Sequence, residues 1–110
     1  MNRIYNKLVR DRIPEIISSS NKVAKTSILE DDDYDRELRK KLLEESEEIL
    51  NSLTKESLCE EIADLCEVID TLIEFHNLDK AKVIEIQLKK KEDRGGFAKK
   101  TFLLEVSDHE

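Results

Sequence analysis

The stretch EEIADLCEVID, residues 60–70, decides how this chain folds. Side chains advance by roughly 100° per residue on an α-helix, so with Leu58 as zero, Ile62, Leu65, Ile69, Leu72, Ile73 and His76 fall within about 60° of it. Glu60, Glu67, Asp70 and Glu74 gather on the far side as an ordinary solvated face. Glu61, at about −60°, and Asp64, at about −120°, do not join them. The spacing therefore predicts an amphipathic helix over 55–76 whose apolar stripe is bordered by two carboxylates three residues apart.

The segment before it has the same anomaly. A helix is expected from about Tyr34 to Leu53, with the run EDDDYD supplying N-cap carboxylates. With Leu38 as zero, Leu42, Ile49 and Leu53 lie within about 60°, Glu45 falls inside that arc at about −20°, and Glu48 flanks it at about −80°. Glu44 and Glu47 point further away. Thr54, with Ser57 as the other candidate, caps the second helix, and a short connection near 52–55 makes the two an antiparallel hairpin. Glu45 and Glu48 then lie opposite Glu61 and Asp64. Four like charges at a packed surface must raise their pKa values, bind a cation, or turn to lysines such as Lys41, because desolvating each ion costs several kcal/mol. An all-oxygen donor set favours Mg²⁺, with Mn²⁺ as the alternative, over Zn²⁺.

Working outward, the 110 residues make one domain, 1–110, and 41% charged residues with 5% aromatics, two glycines and one proline imply an all-α bundle. Pro14 starts a short helix through Ser18, and SSSN at 18–21 is a loop. Residues 23–29 and 101–106 are expected to pair as a minor two-stranded β element. Asn77 stops the second long helix. Asp79 caps a third over Lys80–Arg94, which Gly95 and Gly96 close. Cys59 and Cys66, about 10 Å apart on one helix, cannot form a disulfide and are expected to pack. His76 is expected in a core or capping role, and His109 carries no signal. The net charge of −7 argues against binding a nucleic-acid polymer. MNRIYNKLVRDRIPE has no apolar signal region, and no run approaches the roughly 18 apolar residues of a membrane span, so a soluble, cytoplasmic protein is expected.

A cationic constellation complements the acids. Lys91 and Arg94 share a helix face within KKKEDRGGFAKK, where two glycines let backbone N–H groups approach an anion and Phe97 offers a surface for a base. A basic helix end also complements the macrodipole, which accounts for part of this charge. Lys7 and Arg10, three apart in NKLVRD, are weaker candidates for gripping phosphate.

ESEE at 45–48 lies within KLLEESEEI, and EIAD at 61–64 sits on the following helix. With YNKLVRDRIPEII at the start and KKKEDRGGFAKKTFLLEV at the end, these motifs make the chain from Tyr5 to Val106 resemble the MazG-like all-α nucleoside triphosphate pyrophosphohydrolases, in their phosphoribosyl-ATP pyrophosphohydrolase-like subgroup. The resemblance implies a bundle of long antiparallel helices, commonly completed by a second subunit. It also implies Mg²⁺-dependent hydrolysis of a nucleotide between its α- and β-phosphates, releasing a nucleoside monophosphate and pyrophosphate and so cleaning the nucleotide pool. Glu45, Glu48, Glu61 and Asp64 would be the metal ligands, one of them acting instead on the attacking water. Lys91, Arg94, Lys7 and Arg10 would contact the triphosphate. Many relatives carry a small residue between the acids of the first motif, where this chain has Ser46 and Glu47. Phosphoribosyl-ATP as substrate, and a non-enzymatic acidic helical module, stay open as alternatives.

Three helices and one short one form a thin layer, which cannot cover both sides of its apolar surface. Val68 and Phe75, at about −80° and −100°, extend the apolar arc beyond what one neighbouring helix would bury. A homo-oligomer, most simply a dimer, is expected to cover them.

Overall fold

The computed structural model describes residues 2–109. It contains α1 (Ile13–Ser18), α2 (Asp31–Leu50), α3 (Lys55–Phe75) and α4 (Lys80–Arg94), with no strand among the described residues. The chain groups into two compact units, Met1–His76 and Asn77–Glu110. No helix is long and apolar enough to cross a membrane.

In the first unit α2 and α3 pack on each other as an antiparallel hairpin. The turn follows from its sequence: the Asn51 N–H donates to the Glu47 carbonyl to end α2, and the Thr54 hydroxyl accepts from the Ser57 N–H at 3.0 Å to begin α3. At the other end of the hairpin His76 Nε2 lies 2.6 Å from Asp35 Oδ1, and Tyr34 meets Phe75 edge-on with centroids 4.9 Å apart. His76 is the C-cap of α3, its N–H donating to the Leu72 carbonyl, so of its two expected roles capping holds.

The limits of α2 differ from expectation at both ends. It begins at Asp31, because Asp31, Asp32 and Asp33 occupy its first turn, where they complement the positive end of the helix dipole, and extended Glu30 precedes them without a side-chain cap bond. It stops at Leu50, and Leu53 stands 96% exposed in the turn.

The contact face of α3 is also rotated from the expected one. Leu38 and Val68 are the buried hydrophobic residues, with Leu65, Leu72 and Phe75 half-buried beside them. That face centres near −80° on the wheel, the side on which Glu61 and Asp64 lie, rather than on Leu58. Val68 and Phe75 are thus covered within their own chain, and the open apolar surface is formed by Leu58, Ile62 and Ile69. Cys59 and Cys66, expected to pack, are free and exposed at the rim of that open surface.

The expected strands at 23–29 and 101–106 do not form. Val23 and Ile28 are 95% and 96% exposed, so the first segment has no buried face on which alternation could act. An isolated two-stranded ribbon is marginal in water for the same reason. In the second unit Asp79 caps α4 by accepting from the Ala81 N–H at 3.0 Å. Gly95, at φ 83°, ends the helix in a conformation that a residue with a Cβ adopts only with strain, and its N–H donates to the Lys91 carbonyl.

Candidate metal centre

The rotation of α3 determines what faces α2. Turning Val68 inward brings Asp64 and Glu61 inward one and two turns before it, while on α2 Glu45 follows Leu38 by two turns on the buried side. Glu45, Glu61 and Asp64 therefore meet. Each offers a carboxylate oxygen, and the three lie within 4.8 Å of one another on half-buried side chains. Glu48 is exposed and stands outside this cluster, but with Glu61 it lines a recess that continues towards the turn past Glu44, Glu47, Asn51, Ser52 and Ser57.

The electrostatics of the cluster are unbalanced. Burial pushes the Glu45 carboxyl above its ordinary range, and the charges of Asp64, Glu44 and Glu48 add to this against the pull of Lys41. Glu61 is raised too, first by desolvation and then by Glu48, Asp64 and Glu60. Neither Glu45 nor Glu61 has a hydrogen bond or ion pair among the described residues. Asp64 does: Arg10 Nη2 donates to its Oδ1 at 2.8 Å. Glu44 is the contrasting acid. Burial works to raise it, but Lys41 at 3.1 Å and Lys7 at 3.5 Å outweigh burial and hold it low.

These placements sort the expected residues. Glu45, Glu61 and Asp64 come together, Glu48 lines the adjoining recess, and Lys7 and Arg10 reach the same surface from the N-terminal segment. Lys91 and Arg94 occupy the last turn of α4, in the second unit. The lysine alternative does not hold for the expected acids: Lys41 pairs with Glu44 instead, and among the described residues no lysine is bonded to Glu45, Glu48, Glu61 or Asp64. Glu44 itself was missed as the anchor for Lys7. On the wheel it sits at about −120°, the offset that Asp64 has on α3, so one criterion applied to both helices marks it as a border acid, while its pairing with Lys7, 37 positions away, has no local signal.

The donor set fits a hard divalent cation. It is made of carboxylates alone, with no imidazole or thiolate, and among the described residues Glu45 and Glu61 have no hydrogen bond or ion pair at a surface that already penalises their charge. No family model, no curated protein and no solved structure matches the chain.

Proposed function

We propose that the chain is a Mg²⁺-dependent nucleoside triphosphate pyrophosphohydrolase, cleaving between the α- and β-phosphates to give a nucleoside monophosphate and pyrophosphate. The observation that carries this reading is the meeting of Glu45, Glu61 and Asp64 from two antiparallel helices, with their carboxylate oxygens within 4.8 Å. The resemblance of ExxE and ExxD, together with both terminal motifs, to the MazG-like enzymes supports it.

Glu45, Glu61 and Asp64 would hold the metal, Mn²⁺ serving in place of Mg²⁺. Bound there, it would supply charge neutralisation for the phosphates and acidify a water molecule. Glu48, beside the cluster in the recess, would hold that water by accepting its hydrogen bond. Lys7 and Arg10, already at the rim of the site, would meet phosphate oxygens, with Lys91 and Arg94 as further contacts. This division of labour suits phosphoryl-type transfer, which demands positioning and charge compensation more than a covalent nucleophile.

We also infer a cytoplasmic homo-oligomer, most simply a dimer, acting on free nucleotides and not on nucleic-acid polymers. Its basis is the open apolar face of Leu58, Ile62 and Ile69 on a helix whose other side is already packed.

The reading is tested by pyrophosphate release from a panel of ribo- and deoxyribonucleoside triphosphates and phosphoribosyl-ATP, with Mg²⁺ and with chelator. Mg²⁺-dependent pyrophosphate and monophosphate in equal amounts support it. Orthophosphate as product, or no turnover of any member, overturns it.

A further inference from the structure

Among the described residues, Arg10 is the cation bonded to the acidic cluster. Its Nη2 lies 2.8 Å from Asp64 Oδ1, whereas Lys7 is directed to Glu44, outside the cluster. Both side chains come from the irregular segment that leads into α1, and the Arg10 carbonyl accepts from the Ile13 N–H at 3.0 Å, which fixes the backbone of Arg10 where that helix begins. The side chain is 58% exposed and that of Asp64 43%, so the pair is wet on both sides. A pair of this kind is cheap to open.

From this geometry we propose that Arg10 is an exchangeable counter-ion: it neutralises Asp64 while the site is empty of metal, yields that carboxylate to a divalent cation, and then turns its guanidinium to a phosphate oxygen of the nucleotide. The proposal rests on the metal-site reading above. Three features support it. Asp64 cannot offer its full charge to a metal ion and to a guanidinium at 2.8 Å together. The anchored backbone keeps the displaced side chain beside the site instead of releasing it to solvent. A guanidinium donates its N–H groups to carboxylate and phosphate oxygens alike, so moving the single Nη2 bond from Asp64 to a phosphate needs a rotation and no change of chemistry. Lys7 need not move, because its acid is not a member of the cluster.

The exchange has a signature that a fixed structural bond lacks: removing Arg10 must act with opposite sign on the two ligands. In Arg10→Gln, affinity for Mn²⁺ alone, measured by electron paramagnetic resonance, should rise roughly two- to fivefold, the range expected for losing a competing exposed pair. Affinity for an α,β-methylene adenosine triphosphate in saturating Mg²⁺ should fall by about tenfold, as for a lost charged hydrogen bond to phosphate. Arg36→Gln is the control, removing the same charge from a pair with Asp33 nine residues, or about 13 Å, before Glu45 on α2. Equal gains in Mn²⁺ affinity in the two variants would reduce the effect to net charge and overturn the proposal. A change in only one of the two affinities overturns the exchange as well. If wild type binds Mn²⁺ and Arg10→Gln binds it no better, Arg10 alone has been misassigned. If neither binds it, the metal reading falls and the proposal with it. If only Arg10→Gln binds it, the competition is shown in its strongest form.

Discussion

Replacing Glu45 by Gln keeps the shape of the side chain and removes a charge that the fold tolerates poorly. Glu45 is half-buried within 4.8 Å of Asp64 and Glu61, and among the described residues no hydrogen bond or ion pair compensates it. Two unit charges 4.8 Å apart repel by about 0.9 kcal/mol in a water-like medium and by several times more in a drier one. Arg10 already offsets the Asp64 charge, and Lys41 attracts Glu45, so the low end of that range applies. Glu45→Gln should therefore stabilise the metal-free protein by about 1 kcal/mol, raising Tm by about 4 °C for a domain of this size. Acidification should do to wild type what the substitution does. A carboxyl raised above its ordinary 4.5 adds stability that is fully present below that value and lost as pH rises through the raised one, so the advantage of Glu45→Gln should shrink as pH falls into the carboxylate range. With metal the order reverses. Mg²⁺ binding only the folded state should raise the wild-type Tm by the linkage relation and leave the variant nearly unmoved. Thermal unfolding of both proteins in chelator and in millimolar Mg²⁺ gives the four values required. A variant less stable than wild type in chelator, or one that gains as much from Mg²⁺, would refute the placement of Glu45 in a strained acidic cluster.

Glu61→Gln should abolish Mg²⁺-dependent pyrophosphate release while Glu67→Gln, on the opposite side of α3, retains it; equal losses would show that the inward face of α3 is wrongly assigned. Arg94→Ala should weaken nucleotide binding and turnover while Mn²⁺ affinity without nucleotide stays at the wild-type value, and a large loss of that affinity would put Arg94 in the metal site. The bond from His76, ahead of desolvation and of Arg39, sets the Asp35 carboxyl below its ordinary 3.8, so it adds stability above pH 3.8 that disappears as pH falls through the lowered value. Urea titrations of wild type and Asp35→Asn should accordingly differ near neutrality and converge below pH 3.8, and a gap unchanged by acid would contradict this. Ile69→Glu puts a charge on the open face of α3; light scattering should find wild type at a multiple of 12.8 kDa and the variant at 12.8 kDa, whereas equal masses would remove that face from the interface.

Local signals in the sequence were legible where one residue decides a backbone conformation. Thr54, Asp79 and Gly95 set helix ends, and each acts there through its own hydroxyl, carboxylate or positive φ. Glu45, Glu61 and Asp64 were legible because the wheels place them off the solvated face, whereas Glu48, expected with them, is exposed and lies outside their cluster. The azimuth of α3 was less so. A hydrophobic wheel reports where apolar residues lie, and on α3 these span more than one neighbour can cover, so the centre of the stripe and the centre of the contact differ. Leu58, Ile62 and Ile69 dominate the first, Val68 the second. The missing strands have a related cause: VAKTSIL has β-forming residues, but its Val23 and Ile28 find nothing to pack against. The ion pairs of Lys7 and Arg10 join residues 37 and 54 positions apart, a separation that no local pattern reports.

The central claim is that the facing carboxylates of α2 and α3 hold a divalent cation, and paramagnetic broadening of assigned amide resonances by Mn²⁺ tests it most directly. Substoichiometric Mn²⁺ should erase the signals around Glu45, Glu48, Glu61 and Asp64 first, and excess Mg²⁺ should restore them. Broadening centred instead on the exposed acids Asp31, Asp32 and Asp33 at the start of α2, or spread evenly over the acidic surface, would contradict the account.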